Sequence, residues 1–414
     1  MIHYKKALLK LKKNKIKIKS EIISVENSLN RISSLDLNSP NNYPAANNTA
    51  FDGFAINSKE TNKLNNKNSI KFKIIKTLAA GDNPKIKKIS KFSTIEVMTG
   101  AVIKKPFDTV IPIEQIKFFP NSIKPKYIIL NKKVKKNNYI RFLGSDFKRG
   151  ESIIKKGEIV KPQHILAFKT LGVKKIIVKK KPNIIFYTTG NEISNNIKLP
   201  NWKVRNSNSY YLKSFLENLP FNFVEKKILR DSDLIKFKQE IKNNLKSNTD
   251  LIITSGAVSA GKFDFVPKII NSFKLKYYFK GAYIRPGKPI MFAKFNNNKA
   301  FFGLPGNPIS SAACFRFFVV PFLYFSTGLR EEKPINAKIK NQLFKKKNFT
   351  RFIKGKLLFS KKGIAEFQIH KGQESFRINP FIKSNSWGLF PRGKSNFKKG
   401  DKIKCFNFSV FNDL

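Results

Sequence analysis

Asp250-Leu251-Ile252-Ile253-Thr254-Ser255-Gly256-Ala257-Val258-Ser259-Ala260-Gly261-Lys262-Phe263-Asp264 runs from an apolar segment into a loop of small residues. The apolar part has no polar alternation, so it reads as a strand buried on both faces. Two further segments share this form. Asn183 to Tyr187 ends in Thr188-Thr189-Gly190-Asn191-Glu192. Lys299 to Phe302 leads into Gly303-Leu304-Pro305-Gly306-Asn307-Pro308-Ile309-Ser310-Ser311 and an apolar helix. Helical spacing fills the intervals at 208–218, 235–245 and 265–273, with Asn208 or Ser209 expected as an N-cap. Strands alternating with helices predict a doubly wound α/β domain with a parallel sheet.

Outward from this block the texture changes. The first 20 residues form a Lys-rich amphipathic stretch, expected as a frayed or solvated helix, and Ser24 to Ser34 is expected to be helical. From Asn47 to Leu130 the apolar runs are short, β-branched and punctuated by Gly, Pro or Asn, which predicts a β-rich module. A helix is expected near Pro162 to Leu171 and a strand at Lys175 to Val178. Beyond Gly328 short strands and Gly/Lys turns predict a small β-barrel. The fold class is thus α/β plus β, in a multidomain chain of 414 residues.

The chain carries 82 Lys+Arg against 26 Asp+Glu, a net charge of +56. Such a balance suggests a nucleic-acid binder. Yet only 11 of the basic residues are Arg, the better reader of bases and phosphates. Lys, Asn, Ile and Phe share A/T-rich codons, so a biased genome accounts for the excess, and a nucleic-acid partner is not expected. Two distant cysteines, Cys314 and Cys405, make a thin disulfide framework, which favours a reducing compartment. The longest apolar stretch, Ala312 to Phe325, contains Arg316 and Pro321 and is shorter than a membrane span. The basic N-terminus lacks an apolar h-region. A cytoplasmic protein, with no membrane partner, is expected.

In an open parallel sheet, ligands bind beyond the carboxyl ends of the strands. The three loops quoted above supply small residues, whose backbone N–H groups can approach an anion, followed by helix N-termini. Together they predict a phosphate-bearing ligand. Acidic residues are scarce, yet Glu192, Asp231 and Asp264 all fall near strand or loop ends. Carboxylates beside phosphate suit Mg²⁺. Asp231 and Asp264 serve equally well as helix caps, and Asp233 competes with Asp231 for either role. Arg285-Pro286-Gly287-Lys288-Pro289 sets two cations in a stiff turn that suits an oxyanion or is simply solvated. Asp52 in Asn48-Thr49-Ala50-Phe51-Asp52-Gly53-Phe54-Ala55 and Thr99 in Met98-Thr99-Gly100-Ala101 sit in turns that are not decisive on their own.

The ordered set of motifs resembles the molybdopterin molybdenumtransferase family, also called MoeA and represented by the gephyrin E-domain. It includes Asn48 to Ala55, Ala79-Ala80-Gly81, Val97 to Ala101, Arg141-Phe142-Leu143-Gly144-Ser145-Asp146, Thr189 to Glu192, Ser255 to Gly261, Arg285 to Pro289 and Leu304 to Pro308. The resemblance implies a discontinuous linking domain at 1–45 and 140–180. It also implies an inserted β-rich domain at 46–139, a molybdopterin-binding α/β domain at 181–327 and a barrel at 328–414. It implies a homodimer whose substrates are adenylylated molybdopterin and molybdate. The metal enters the dithiolene and AMP leaves, with Mg²⁺ or a similar ion. The implied protein partners are the molybdopterin adenylyltransferase and molybdoenzyme chaperones.

Carried over by motif, Asp52, Thr99, Glu192, Asp231 and Asp264 are the catalytic set, and the last three the metal ligands. Substrate binding falls to Thr189, Gly190, Ser255, Gly256, Ser259, Arg285, Lys288, Pro305, Gly306, Asn307, Pro308, Ser310, Lys354 and Ser375. This chain departs from the family at Ala257, Asn191, Arg285, Lys354 and Asn30, where Gly, Asp, Lys, Arg and Gly are usual. A nucleic-acid binder and a molybdopterin adenylyltransferase relative are the alternative readings.

Overall fold

The computed structural model describes residues 1–65, 67–217, 219–230, 232–256 and 266–408. The α/β domain has a six-stranded sheet. Its strands in chain order are β1 (Asn183–Thr188), β2 (Asn222–Glu225), β3 (Leu251–Ser255), β4 (Leu275–Lys280), β5 (Met291–Phe295) and β6 (Ala300–Leu304). They lie side by side as β2-β1-β3-β6-β5-β4. The pairs β1–β2, β1–β3 and β3–β6 are parallel, while β5 runs antiparallel to both β6 and β4. The chain moves to opposite sides of β1 when it forms β2 and β3. A crevice therefore opens at their carboxyl ends.

Alternate residues of each central strand enter two separate cores. Ile184, Phe186, Leu251, Ile253 and Phe302 face one side, where the helix from Pro308 to Thr327 packs. Ile185, Tyr187, Ile252 and Phe301 face the other, against Phe237 and Ile241 of helix Leu234–Lys246. Covering both faces is why these strands read as continuous apolar runs.

The helix at Pro308–Thr327 is 20 residues long and apolar enough in length and composition to cross a membrane, which the shorter stretch Ala312 to Phe325 did not anticipate. Almost all of it is buried in the protein, where it serves as a core helix. It contains a π turn at Phe315–Val319, just before Pro321. Proline has no N–H to continue an α ladder, and the wider turn accommodates that break. Arg316, 2% exposed, makes a bidentate ion pair with Glu332 at 2.7 and 2.6 Å.

The N-terminal helix forms at Tyr4–Lys13, but it is not solvated all round. Tyr4, Ala7 and Leu11 are buried in the core that also holds Phe317 and Phe352. The lysines that made it look soluble occupy the other face. Ser24 to Ser34 is not helical. Ser20–Ser24 is a strand paired with Lys175–Lys179, followed by one 3-10 turn at Val25–Asn27. Asn30 there has φ 60°, a left-handed conformation that asparagine tolerates in place of glycine.

The β-rich module is a six-stranded sheet ordered Thr109–Pro112, Gly53–Ile56, Ser93–Val97, Ile70–Leu78, Tyr127–Leu130, Lys117–Phe119. The C-terminal segment is a closed five-stranded barrel. Thr350–Phe359 pairs with both Ala365–Ile369 and Ser386–Phe390, and Ile335–Ile339 and Lys402–Asn407 complete the ring. The expected helix at Pro162–Thr170 and strand at Lys175–Lys179 are present.

Candidate active site

Three strand-end loops meet at the crevice. The Thr189 N–H and hydroxyl both donate to the Ser255 carbonyl, at 2.9 and 3.1 Å. The Gly256 N–H donates to the Leu304 carbonyl at 3.0 Å, and the Ser255 hydroxyl donates to the Pro305 carbonyl at 3.2 Å. Gly256 has φ +97°, and a Cβ there would lie 2.4 Å from the Thr189 carbonyl oxygen. Only glycine satisfies both conditions.

Asn208 ties the loops together, and sequence reasoning missed it. Its amide donates to Ser255 Oγ at 2.6 Å and to the Gly306 carbonyl at 2.8 Å. The helix N-cap is Ser207, not Asn208 or Ser209. Asparagine is common throughout this chain, so nothing in its local pattern marked this one out. Thr189, Ser255 and Ser310 are buried, while Gly306 and Asn307 face solvent. Pro305 leads into this loop and Pro308 opens the apolar helix at its first turn, where a missing N–H is harmless.

Glu192 is exposed beside Gly190, close enough that a Cβ on that glycine would sit 2.6 Å from its carboxylate. Ser259, Asp231 and Asp264 lie outside the described residues. Among the described residues, no group of three or more His, Cys, Asp or Glu side chains could hold a metal ion. Glu192 brings an exposed carboxylate to the end of this loop. Asp233 precedes the helix at Leu234–Lys246 and accepts from the Arg230 N–H at 2.9 Å.

The basic turn packs on the same end. Arg285 and Lys288 are exposed, and the Arg285 guanidinium lies 4.7 Å from the Phe349 ring centroid. The Cys314 thiol of the apolar helix donates to the Gly287 carbonyl at 3.4 Å, which holds the turn beside Ser310. Across from it stands the barrel. Asn307 Nδ2 donates to Ser375 Oγ at 3.1 Å. Lys354 is 1% exposed, and its ammonium donates to the carbonyls of Glu374 and Arg377 at 3.1 and 3.0 Å. Burial pulls its pKa down to about 8, against the opposing pull of Glu374. Lys354 thus holds the loop that carries Ser375.

Asp52 and Thr99 meet in the β-rich module. The Thr99 N–H and hydroxyl donate to Asp52 Oδ1 at 2.5 and 2.7 Å. These bonds, the backbone one first, hold the carboxyl below its usual range. Gly53 leaves the space: a Cβ there would fall 2.0 Å from the Ile111 carbonyl oxygen. Both side chains are exposed. Among the described residues, their hydrogen bonds stay within the module.

A doubly wound sheet whose small-residue loops meet at its switch point, beside an exposed basic turn and bonded to the barrel loop of Ser375, is the arrangement in which α/β enzymes bind their ligands. Comparison with known proteins narrows that class. Residues 2–172 match the family described as MoeA N-terminal region (domain I and II), and 185–324 match the probable molybdopterin binding domain. The molybdopterin molybdenumtransferase of Staphylococcus epidermidis is 30% identical over 97% of this chain and 94% of its own length. That of Staphylococcus aureus strain Mu50 is 29% identical over the same shares. Two crystal structures of the molybdopterin biosynthesis MoeA protein from Pyrococcus horikoshii share the fold. One has TM-score 0.84, 24% identity and coverage of 99% and 100% of the two chains. The other has TM-score 0.80, 25% identity and coverage of 98% and 99%. The chain belongs to the molybdopterin molybdenumtransferase family and is an enzyme of molybdenum cofactor biosynthesis.

Proposed function

We propose that the chain inserts molybdate into adenylylated molybdopterin and releases AMP. The observation that carries this reading is the meeting of the loops at Thr189-Gly190, Ser255-Gly256 and Pro305-Gly306-Asn307 in one crevice. Ser375 is bonded to the last of these loops, and the basic turn of Arg285 and Lys288 packs beside Ser310. Both substrates are oxyanions. Splitting the phosphoanhydride needs neutralisation of developing charge more than a covalent nucleophile. The start of the helix at Pro308 and Ser310 would hold the pterin phosphate, and the basic turn would hold molybdate. Glu192, with Asp231 and Asp264, would hold a divalent ion. Such an ion supplies Lewis-acid charge at the diphosphate when bound. Asp52, kept ionised by Thr99, would add a carboxylate from the β-rich module.

The same reading divides the chain at 1–45 with 140–180, 46–139, 181–327 and 328–414. It makes the working form a cytoplasmic homodimer in which the β-rich module serves the partner's crevice. The adenylyltransferase that makes the substrate and the chaperones that receive the product would be its protein partners. The test is AMP release from adenylylated molybdopterin, with and without molybdate and Mg²⁺. Release should require both, and Asp52→Asn and Glu192→Gln should abolish it with the fold intact. Consumption of ATP with molybdopterin instead would assign the chain to the adenylyltransferase reaction. Near-normal turnover in both variants would remove these residues from the site.

A further inference from the structure

The crevice lies at the carboxyl ends of β1, β3 and β6. A second cavity, of about 410 Å³, lies at their amino ends, where Asn183, Asp250 and Lys299 line it. No motif marks this place. Two connecting segments run past it. Residues 14–19 join the first helix to the strand Ser20–Ser24, and residues 180–182 join the strand Lys175–Lys179 to β1. Each gives two lysines to the wall, Lys17 with Lys19 and Lys180 with Lys181. Ile16 and Ile18 are buried, so extended alternation turns Lys17 and Lys19 the other way. Asn298, in the turn between β5 and β6, accepts from the Lys17 N–H at 3.0 Å and donates to the Lys17 carbonyl at 3.1 Å. The Lys180 N–H donates to the Lys19 carbonyl at 2.9 Å, which sets the two connections side by side.

The inner side of the cavity is already balanced. Lys299, 9% exposed, donates to the carbonyls of Asn244 and Thr249 at 3.0 and 2.7 Å and to that of Ser247. It also offsets Asp250, whose carboxyl burial raises and Lys299 lowers. Asp250 accepts from the Asn183 N–H at 2.9 Å as well. The outer wall is not balanced. Lys17, Lys19, Lys180 and Lys181 are exposed and, among the described residues, in no ion pair. Like charges gathered round a concave wall repel one another and focus a positive potential into it. A compact ligand with several negative charges answers all four at once, and the cavity has the size of a small-molecule site. We propose that it binds a polyphosphate anion, free or borne on a nucleoside. The bound anion ties together the two segments that join the strand pair to the α/β domain. This site is separate from the crevice and independent of the reaction proposed above.

The experiment is calorimetric titration of the full-length protein with sodium tripolyphosphate, in about 0.15 M salt so that diffuse attraction to the basic surface is screened. The parent should bind. Lys17→Gln, Lys19→Gln, Lys180→Gln and Lys181→Gln together should weaken binding at least tenfold. Two controls separate the cavity from charge elsewhere. Lys361→Gln, Lys362→Gln, Lys398→Gln and Lys399→Gln together remove the same charge from exposed parts of the barrel and should leave the affinity unchanged. Lys288→Gln, at the crevice, should leave it unchanged too. Orthophosphate should bind at least tenfold more weakly than tripolyphosphate. In hydrogen exchange, tripolyphosphate should slow the amides of Lys17 and Lys180 in the parent and not in the cavity variant. Displacement of tripolyphosphate by ATP assigns a nucleoside-borne ligand, and failure to displace it assigns a free one. No binding by the parent, or equal affinity in the cavity variant, overturns the site. An equal loss in either control overturns its location. Orthophosphate binding as tightly overturns the polyphosphate assignment. Tighter binding of a short single-stranded oligonucleotide through the same four lysines overturns it in favour of a nucleic acid.

Discussion

Lys354 illustrates how far a residue's identity is from its role. Its motif position suggested a substrate ligand, and its surroundings make it an anchor. Removing its ammonium leaves the Glu374 and Arg377 carbonyls without that donor at a part-buried spot. Lys354→Met should therefore cost about 1–3 kcal/mol of stability. The pH dependence has a definite sign. In the fold the group releases its proton near pH 8, whereas the unfolded chain holds it to about 10.5. Between these values the unfolded state binds more protons, so the stability of the parent rises with pH relative to Lys354→Met. Below pH 8 the difference should be flat. Thermal melts of both proteins from pH 7 to 10 measure it, and parallel curves would contradict the assignment. Asp52 behaves differently: its carboxyl is held ionised by the N–H and hydroxyl of Thr99, both supplied by a neighbouring turn.

The helix from Pro308 to Thr327 does most at the scale of elements. Its first turn ends the loop of Asn307, its π turn makes room for Pro321, and Arg316 crosses its apolar surface to reach Glu332. Burial raises the carboxyl of Glu332 above its ordinary range, and Arg316 opposes that shift. Arg316→Met would leave a largely buried carboxylate unpaired, at a cost of roughly 3 kcal/mol. The double change Arg316→Met with Glu332→Gln should recover most of that loss. Urea unfolding of parent, single and double variants tests this, and equal losses in single and double variants would show that the pair is not the cause. The segment Ser24–Ser34 shows the opposite case. It is expected from the sequence to be helical, but it holds one 3-10 turn at Val25–Asn27, and the strand Ser20–Ser24 that leads into it pairs with Lys175–Lys179, more than 150 residues away in the chain. Local periodicity carries no information about such a partner.

For the molecule as a whole, the question is how Asp52 and Thr99 meet the crevice. Their hydrogen bonds among the described residues stay inside the β-rich module. If each crevice is completed by the partner subunit's module, two inactive variants should rescue each other. Mixed dimers of Asp52→Asn and Glu192→Gln carry one site with both changes and one with neither. An equal mixture should then regain about a quarter of the parent rate. No recovery after verified subunit exchange would place both residues of a site in one chain. The +56 charge is a feature of the same scale. Most of it lies on exposed lysines spread over the whole chain. At the crevice end it includes the exposed Arg285 and Lys288 of the basic turn.

The sequence by itself determined the α/β block, because strands covered on both faces must be apolar throughout. It also marked the strand-end loops, since loops that pack this closely on one another call for small residues, and the barrel through its short strands and turns. Only the tertiary structure decided that Asn208 links two loops, that Lys354 is an anchor, and that Lys17, Lys19, Lys180 and Lys181 line one cavity. It also buried the Lys-rich first helix along one face. These facts depend on contacts between residues distant in the chain. Such contacts are set by packing and register, which leave no periodic trace in either segment alone.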